Sequence, residues 1–128
     1  MLSIAICDDE ACYVRQIENF VQEYLHRHPE RPGQICTFQR GQELLCQAEE
    51  TGGFDLYLLD IIMPGLDGIQ TGQQLRELGN GGEIIYLTIS PDYAVDSYSV
   101  RAFFYLLKPI DKERLFAVLD TAFEKLHE

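Results

Sequence analysis

This sequence of 128 residues predicts an α/β fold built on a parallel sheet. Short apolar runs alternate with longer segments of helical period, turn signals fall between them, and no long linker, repeat or low-complexity tract interrupts the pattern. The runs Leu2 to Cys7, Leu56 to Leu59, Ile84 to Leu87 and Phe103 to Leu107 read as strands buried on both faces, and Ile35 to Phe38 as a strand nearer an edge. Between them, Val14, Ile17, Val21, Tyr24 and Leu25 recur at spacings of three and four, as do Leu115, Val118, Leu119, Ala122, Phe123 and Leu126. Both sets predict amphipathic helices. Further helices fit Gly41 to Glu49, Gly68 to Leu78 and, with a poorer apolar pattern, Tyr93 to Ser99. Asp111 is placed to cap the last helix. Turn residues cluster at His28 to Gly33, Pro64 to Gly68 and Gly79 to Gly82. Five such β/α alternations call for right-handed crossovers and helices on both faces of the sheet.

Composition narrows the function. Apolar residues make up 46% and charged residues 24%, as in ordinary globular domains, and the length suits a single domain. Ten Lys+Arg against 21 Asp+Glu give a net charge of −11. That surface repels a phosphate backbone, so direct nucleic-acid binding is not expected. Cys7, Cys12, Cys36 and Cys46 show no C-x-x-C spacing, which argues for reduced thiols, buried as small hydrophobes, and against zinc. The run Phe103 to Leu107 falls far short of the roughly 18 to 20 apolar residues of a membrane span. Met1 to Cys7 lacks the features of a signal peptide. The expectation is a cytoplasmic protein without membrane contact. His26, His28 and His127 read as surface residues at helix ends.

In a sheet of this class, ligands bind beyond the carboxyl ends of the strands. Asp8, Asp9 and Glu10 follow the first run, Asp60 the run Leu56 to Leu59, Thr88 the run Ile84 to Leu87, and Lys108 with Pro109 the run Phe103 to Leu107. All converge on one edge. Two like charges 4 Å apart repel by ~4 kcal/mol at an effective dielectric of about 20, so Asp8, Asp9 and Asp60 together must take up protons or recruit a cation. All-oxygen ligands suit a hard ion: Mg²⁺ fits best, and Mn²⁺ can substitute. Lys108 supplies a second positive charge, and the Thr88 hydroxyl can bond an oxygen of a transferred group. Acid, metal, lysine and hydroxyl together point to phosphoryl transfer. Asp60, alone at the end of a central strand, is the candidate nucleophile, while the Asp8 and Asp9 pair suits metal. The turn Met63-Pro64-Gly65 lets backbone approach the site.

The strings IAICDDE, LYLLDIIMPGLDG, IIYLTIS and FFYLLKP, in this order, resemble those of receiver domains of two-component response regulators, particularly receivers that precede LytTR-type DNA-binding domains. The likeness runs from Ile4 to about Leu126. It implies a flavodoxin-like, doubly wound five-stranded sheet of order 2-1-3-4-5. By the same likeness, Asp60 is the phosphoacceptor, Asp9 a direct metal ligand, Asp8 a ligand through water, and the Ile62 carbonyl a further ligand. Thr88 and Tyr105 are then the switch residues, Lys108 pairs with the phosphoryl group, and the bond before Pro109 is cis. A sensor histidine kinase is the implied donor and a phosphorylation-dependent homodimer the implied output. The chain is then the receiver, residues 1–128, at the N-terminal end of a longer regulator controlling transcription, or else a stand-alone receiver. It catalyses only its own phosphorylation and dephosphorylation. One departure stands out: Ile89 follows the switch threonine where the family commonly has a small residue, which implies slow exchange of the phosphoryl with water or small donors.

Plainer readings exist for each residue alone. Asp8 and Asp9 could cap the first helix, Glu10 suits a helix N-terminus, Thr88 could be an ordinary strand residue, and Tyr105 a core aromatic beside Phe103 and Phe104. Tyr93 and Tyr98 fit either a partner surface or local packing. Two other functions compete: a protein-binding module that works without phosphorylation, and a small aspartyl-phosphate phosphatase. Phosphatases of the haloacid-dehalogenase type need a second aspartate two positions after the nucleophile, where this chain has Ile62.

Overall fold

A computed structural model describes residues 1–126; His127 lies outside the described residues. The strands are β1 (Leu2–Cys7), β2 (Gly33–Phe38), β3 (Leu56–Leu59), β4 (Glu83–Thr88) and β5 (Phe104–Leu107). The helices are α1 (Ala11–Arg27), α2 (Gly41–Thr51), α3 (Gly68–Glu77), α4 (Ala94–Ser99) and α5 (Lys112–Leu126). All strand pairs are parallel, in the order β2-β1-β3-β4-β5. The expected doubly wound topology is therefore the one observed.

Period-two alternation in the strands divides the interior into two cores. Ile4 and Ile6 of β1, Leu56 and Leu58 of β3, and Ile85 and Leu87 of β4 pack with Val14, Ile17 and Val21 of α1 and Leu115, Leu119 and Phe123 of α5. Their neighbours Ala5, Cys7, Tyr57, Leu59, Ile84 and Tyr86 point the other way, onto Leu44 and Ala48 of α2, Leu75 of α3 and Val100 at the end of α4. The central strands can be apolar throughout because each face has a helical layer to bury against. β5 departs from the expectation of burial on both faces. Phe104 and Leu107 are 44% and 49% exposed, since this strand forms the sheet edge opposite β2 and short α4 leaves its outer face open.

Local chemistry sets the helix starts. Asp67 caps α3 by accepting from Gln70 N–H at 2.8 Å, while Gln70 Oε1 accepts from Asp67 N–H at 3.0 Å, a reciprocal box that satisfies two donors. Asp111 accepts from Glu113 N–H at 3.0 Å at the start of α5, as its position predicts. Arg76 donates to the carbonyls of Val100, Asn80 and Gly82 at 2.7 to 3.0 Å, tying the end of α3 to the end of α4 and the entrance to β4. The cysteines correct the sequence reading in part. All are free thiols, but only Cys7 is buried. Cys12 lies on the outer side of α1, Cys36 on edge strand β2, and Cys46 on the side of α2 opposite buried Leu44, Leu45 and Ala48, positions that composition alone does not distinguish. His26 is exposed as expected, whereas His28 is half-buried, its ring 4.4 Å from that of Tyr24. Among the described residues, no helix is long and apolar enough to cross a membrane.

Gly68 joins this scaffold to the loop after β3. A Cβ there would lie 2.1 Å from the Asp60 carbonyl oxygen and 2.7 Å from Ile61 Cα, both backbone atoms that cannot turn aside. Gly68→Ala should therefore cost about 2 to 3 kcal/mol in urea unfolding. Gly81→Ala, whose Cβ meets nothing within 4 Å, should stay within about 0.5 kcal/mol of wild type. Equal unfolding midpoints for the two variants would contradict this packing.

Candidate functional site

Parallel pairing brings the ends of the strands level. Cys7 stands opposite Leu59 and Phe38, and Thr88 opposite Leu107, so the residues that follow share one rim. Main-chain bonds hold them there: Asp8 N–H donates to the Phe38 carbonyl at 3.1 Å, Asp60 N–H to the Cys7 carbonyl at 2.9 Å, and Lys108 N–H to the Thr88 carbonyl at 2.8 Å. The rim is thus a continuation of the sheet ladder.

Carboxylate oxygens of Asp8, Asp9 and Asp60 lie within 4.8 Å of one another. Asp8 is fully buried and Asp60 nearly so, while Asp9 is the most open of the three. Asp8 Oδ1 accepts from Glu10 N–H at 3.0 Å, so it does brace the chain entering α1, yet its other oxygen accepts from Lys108 Nζ at 2.7 Å. Lys108 Nζ stands 3.6 Å from Asp60 Oδ2, an ion pair beyond hydrogen-bond length. Asp60 Oδ1 accepts from Ile61 N–H at 2.9 Å. The lysine that sequence reasoning aimed at the phosphoacceptor position therefore rests closer to Asp8. Sequence reasoning also missed the Tyr13 ring beside the same amine, because a residue of α1 and one after β5 meet only in the fold.

Electrostatics follow from this crowding. Burial first, then the neighbouring Asp8 charge, push the Asp60 carboxyl up from 3.8 to about 6, against the opposing pull of Lys108 and the Ile61 amide. Burial and the same carboxylates push the Cys7 thiol up to about 12, so this cysteine under the rim is inert. Thr88 is fully buried, and its hydroxyl oxygen has no hydrogen-bond partner among the described residues. An orphaned hydroxyl and an excess of carboxylate oxygens, with one ammonium between two acids, suit a hard divalent cation and an oxyanion.

The remaining predicted residues surround this centre. Ile62 is 45% exposed just beyond Asp60, and Ile89 64% exposed just beyond Thr88. Tyr105, half-buried on β5, donates its hydroxyl hydrogen bond to the Ser90 carbonyl in the loop between β4 and α4. The Lys108–Pro109 peptide is cis. Gly65, at φ 76°, gives the turn after Met63 and Pro64 its left-handed residue. Tyr98 is 83% exposed, which favours a surface role over packing, while Tyr93 is half-buried.

Comparison with known proteins agrees with this architecture. The family profile of the response regulator receiver domain matches residues 4–120. The positive alginate biosynthesis regulatory protein of Pseudomonas aeruginosa is 40% identical over 68 residues, covering 53% of this chain and 27% of that protein. The transcriptional regulatory protein YpdB of Escherichia coli is 27% identical over 118 residues, covering 92% of this chain and 46% of that protein. The chain thus spans less than half the length of these curated relatives. Among solved structures, the response regulatory domain of MrkE from Klebsiella pneumoniae superposes with a TM-score of 0.85 at 22% identity, over 98% of each chain. The response regulator TrrA from Thermotoga maritima, in complex with Mg²⁺ and BeF, gives 0.78 at 27% identity, covering 95% of this chain and 99% of that one.

The raised Asp60 group makes stability depend on pH. Its folded value lies above the unfolded one, so its contribution is fully present below about 3.8 and is lost as pH rises through about 6. In chelator, Asp60→Asn should gain on wild type across this window and be more stable at pH 7.5 by on the order of 1 to 3 kcal/mol. Urea unfolding at a series of pH values checks this; a difference that does not change between pH values would contradict it.

Proposed function

Because the chain belongs to the response regulator receiver domain family, we propose that it is a phosphorylation-controlled switch in which Asp60 accepts a phosphoryl group from a sensor histidine kinase. Receiver domains as a family take phosphoryl from a histidine kinase and bind Mg²⁺ at an acidic pocket, and they are not enzymes acting on outside substrates. The observation that carries the assignment to these residues is the meeting of Asp8, Asp9 and Asp60 with a buried Lys108 ammonium at one rim.

In the proposed reaction an Asp60 carboxylate oxygen forms the new bond to phosphorus. The bond from phosphorus to the donor histidine nitrogen breaks, its electron pair stays with the imidazole, and an acyl phosphate results. Asp9, Asp60 and the Ile62 carbonyl would hold Mg²⁺ directly, and Asp8 through water. Bound there, the ion supplies charge neutralisation for the phosphoryl oxygens. Lys108 gives up part of its contact with Asp8 to pair with the phosphoryl group. The orphaned Thr88 hydroxyl donates to one of its oxygens, and Tyr105 changes rotamer as the loop carrying Ser90 moves. A phosphoryl group adds roughly −1.5 to −2 charge, the differential interaction that any shift between two conformations requires.

The output face is α4, β5 and α5. Tyr98, 83% exposed, lines one groove with Phe104, and Val95 of α4 and Leu107 of β5 are 79% and 49% exposed, apolar side chains suited to a second copy of the chain. Exposed Asp96, Arg101 and Arg114 supply both signs of charge around it. The length of the curated relatives supports a longer regulator; that this chain is its N-terminal receiver, with a LytTR-type output domain acting on transcription in the cytoplasm, is part of the same proposal. Ile89, exposed beside Thr88, is proposed to shield the acyl phosphate.

Intact mass after incubation with acetyl phosphate and Mg²⁺ tests this reading. Wild type should gain one phosphoryl group and Asp60→Ala none. Phosphorylated or beryllofluoride-treated protein should self-associate in sedimentation, and Ile89→Ala should lose its phosphoryl faster than wild type. A wild type that stays unmodified would leave the protein-binding module as the better reading. Sustained turnover of a phosphate ester would favour the phosphatase, unchanged sedimentation would sink the dimer, and equal lifetimes would sink the role of Ile89.

A further inference from the structure

Lys108 is held by more than its two carboxylates. Its Nζ stands 3.8 Å from the centroid of the Tyr13 ring, 2.7 Å from Asp8 Oδ2 and 3.6 Å from Asp60 Oδ2, and its side chain is only 4% exposed. Tyr13 lies in the first turn of α1, where its N–H donates to the Glu10 carbonyl at 3.0 Å. The Lys108 main chain is fixed independently, through its bond to the Thr88 carbonyl. The lysine is therefore anchored by the sheet at its root and by α1 at its tip.

An ammonium has three N–H donors. One is used on Asp8, and Asp60 lies too far away to accept a second in this state. The negative face of the ring takes up charge that neither carboxylate meets, and it excludes water there without offering an oxygen that would compete with an incoming phosphoryl group. Asp8, Asp60 and the ring thus border the amine together.

We propose that Tyr13 is a positioning residue for phosphoryl acceptance: its ring face is the surface on which the Lys108 ammonium passes from Asp8 towards a phosphoryl oxygen on Asp60. The proposal rests on the reading of Asp60 as phosphoacceptor. With acetyl phosphate as donor, the Asp60 oxygen bonds to phosphorus, the bond from phosphorus to the acetyl oxygen breaks, and acetate leaves with the electron pair. Tyr13 takes no part in the bond changes; it keeps the amine dry and aimed.

The test compares the full chain as wild type, Tyr13→Phe and Tyr13→Leu, with two readouts. The first is the rate of phosphoryl gain from acetyl phosphate and Mg²⁺, followed by intact mass. Tyr13→Leu should be slower by about threefold to thirtyfold, and Tyr13→Phe, which keeps the ring, should stay within about twofold of wild type. The second readout needs neither metal nor phosphoryl: the Lys108 ε-methylene protons should be shifted upfield by the ring in wild type and Tyr13→Phe and lose that shift in Tyr13→Leu. A Tyr13→Leu protein that reacts at the wild-type rate, or a Tyr13→Phe protein slowed as much, overturns this role while leaving Asp60 as acceptor. A wild type that gains no phosphoryl overturns the Asp60 reading and this inference with it.

Discussion

Three carboxylates, two of them buried, share one rim with a single ammonium, and the rest of the structure is arranged around that imbalance. Like charges this close repel by several kcal/mol at the effective dielectric of a protein. Lys108 relieves part of the repulsion, chiefly for Asp8 at 2.7 Å, and leaves Asp60 with a carboxyl raised to about 6. The resting site is therefore polarised in a useful sense. Of the two buried acids Asp60, the proposed phosphoacceptor, is the less closely paired with the ammonium, and the Thr88 hydroxyl has no hydrogen-bond partner among the described residues.

Such a cluster survives only on a scaffold rigid enough to impose it. Two cores, one on each face of the sheet, fix the strand ends, and bonds between main-chain groups carry that order one residue past the strands into Asp8, Asp60 and Lys108. Gly68 lets the start of α3 press against the Asp60 backbone. On the other side, the sheet thins out: β5 is half-exposed, α4 is short, and the hydrogen bond from Tyr105 to the Ser90 carbonyl links the edge strand to the loop beyond Thr88. In the proposed function, rigid acids next to a loosely covered edge convert a local change of charge into a change of surface.

Much of this was legible in the residues. Continuous apolar runs ending in Asp8, Asp60 and Lys108 identified both the strands and the rim, because a parallel sheet places the residues after its strands side by side. The capping role of Asp111 followed from the same local rules. What the sequence could not reveal were contacts between elements distant in the chain. The preference of Lys108 for Asp8, the Tyr13 ring over the amine and the clamp made by Arg76 all depend on side-chain directions that periodicity does not encode. Burial of individual residues on edge elements is hidden from the sequence for a related reason. Cys36, Phe104 and Leu107 look like core residues by type, and although the expected strand order puts β2 and β5 at the edges, it does not say which of their side chains the flanking helices leave uncovered.

The rim is short of positive charge and, in the proposed function, takes a divalent cation. Titration of the chain with Mg²⁺, followed through its backbone amide resonances, tests that most directly. Saturable shifts confined to the segments around Asp8 and Asp9, Asp60 to Met63, and Lys108, and abolished in Asp9→Asn, are the predicted result. Shifts that fail to saturate, scatter over the acidic surface or persist unchanged in Asp9→Asn would contradict it.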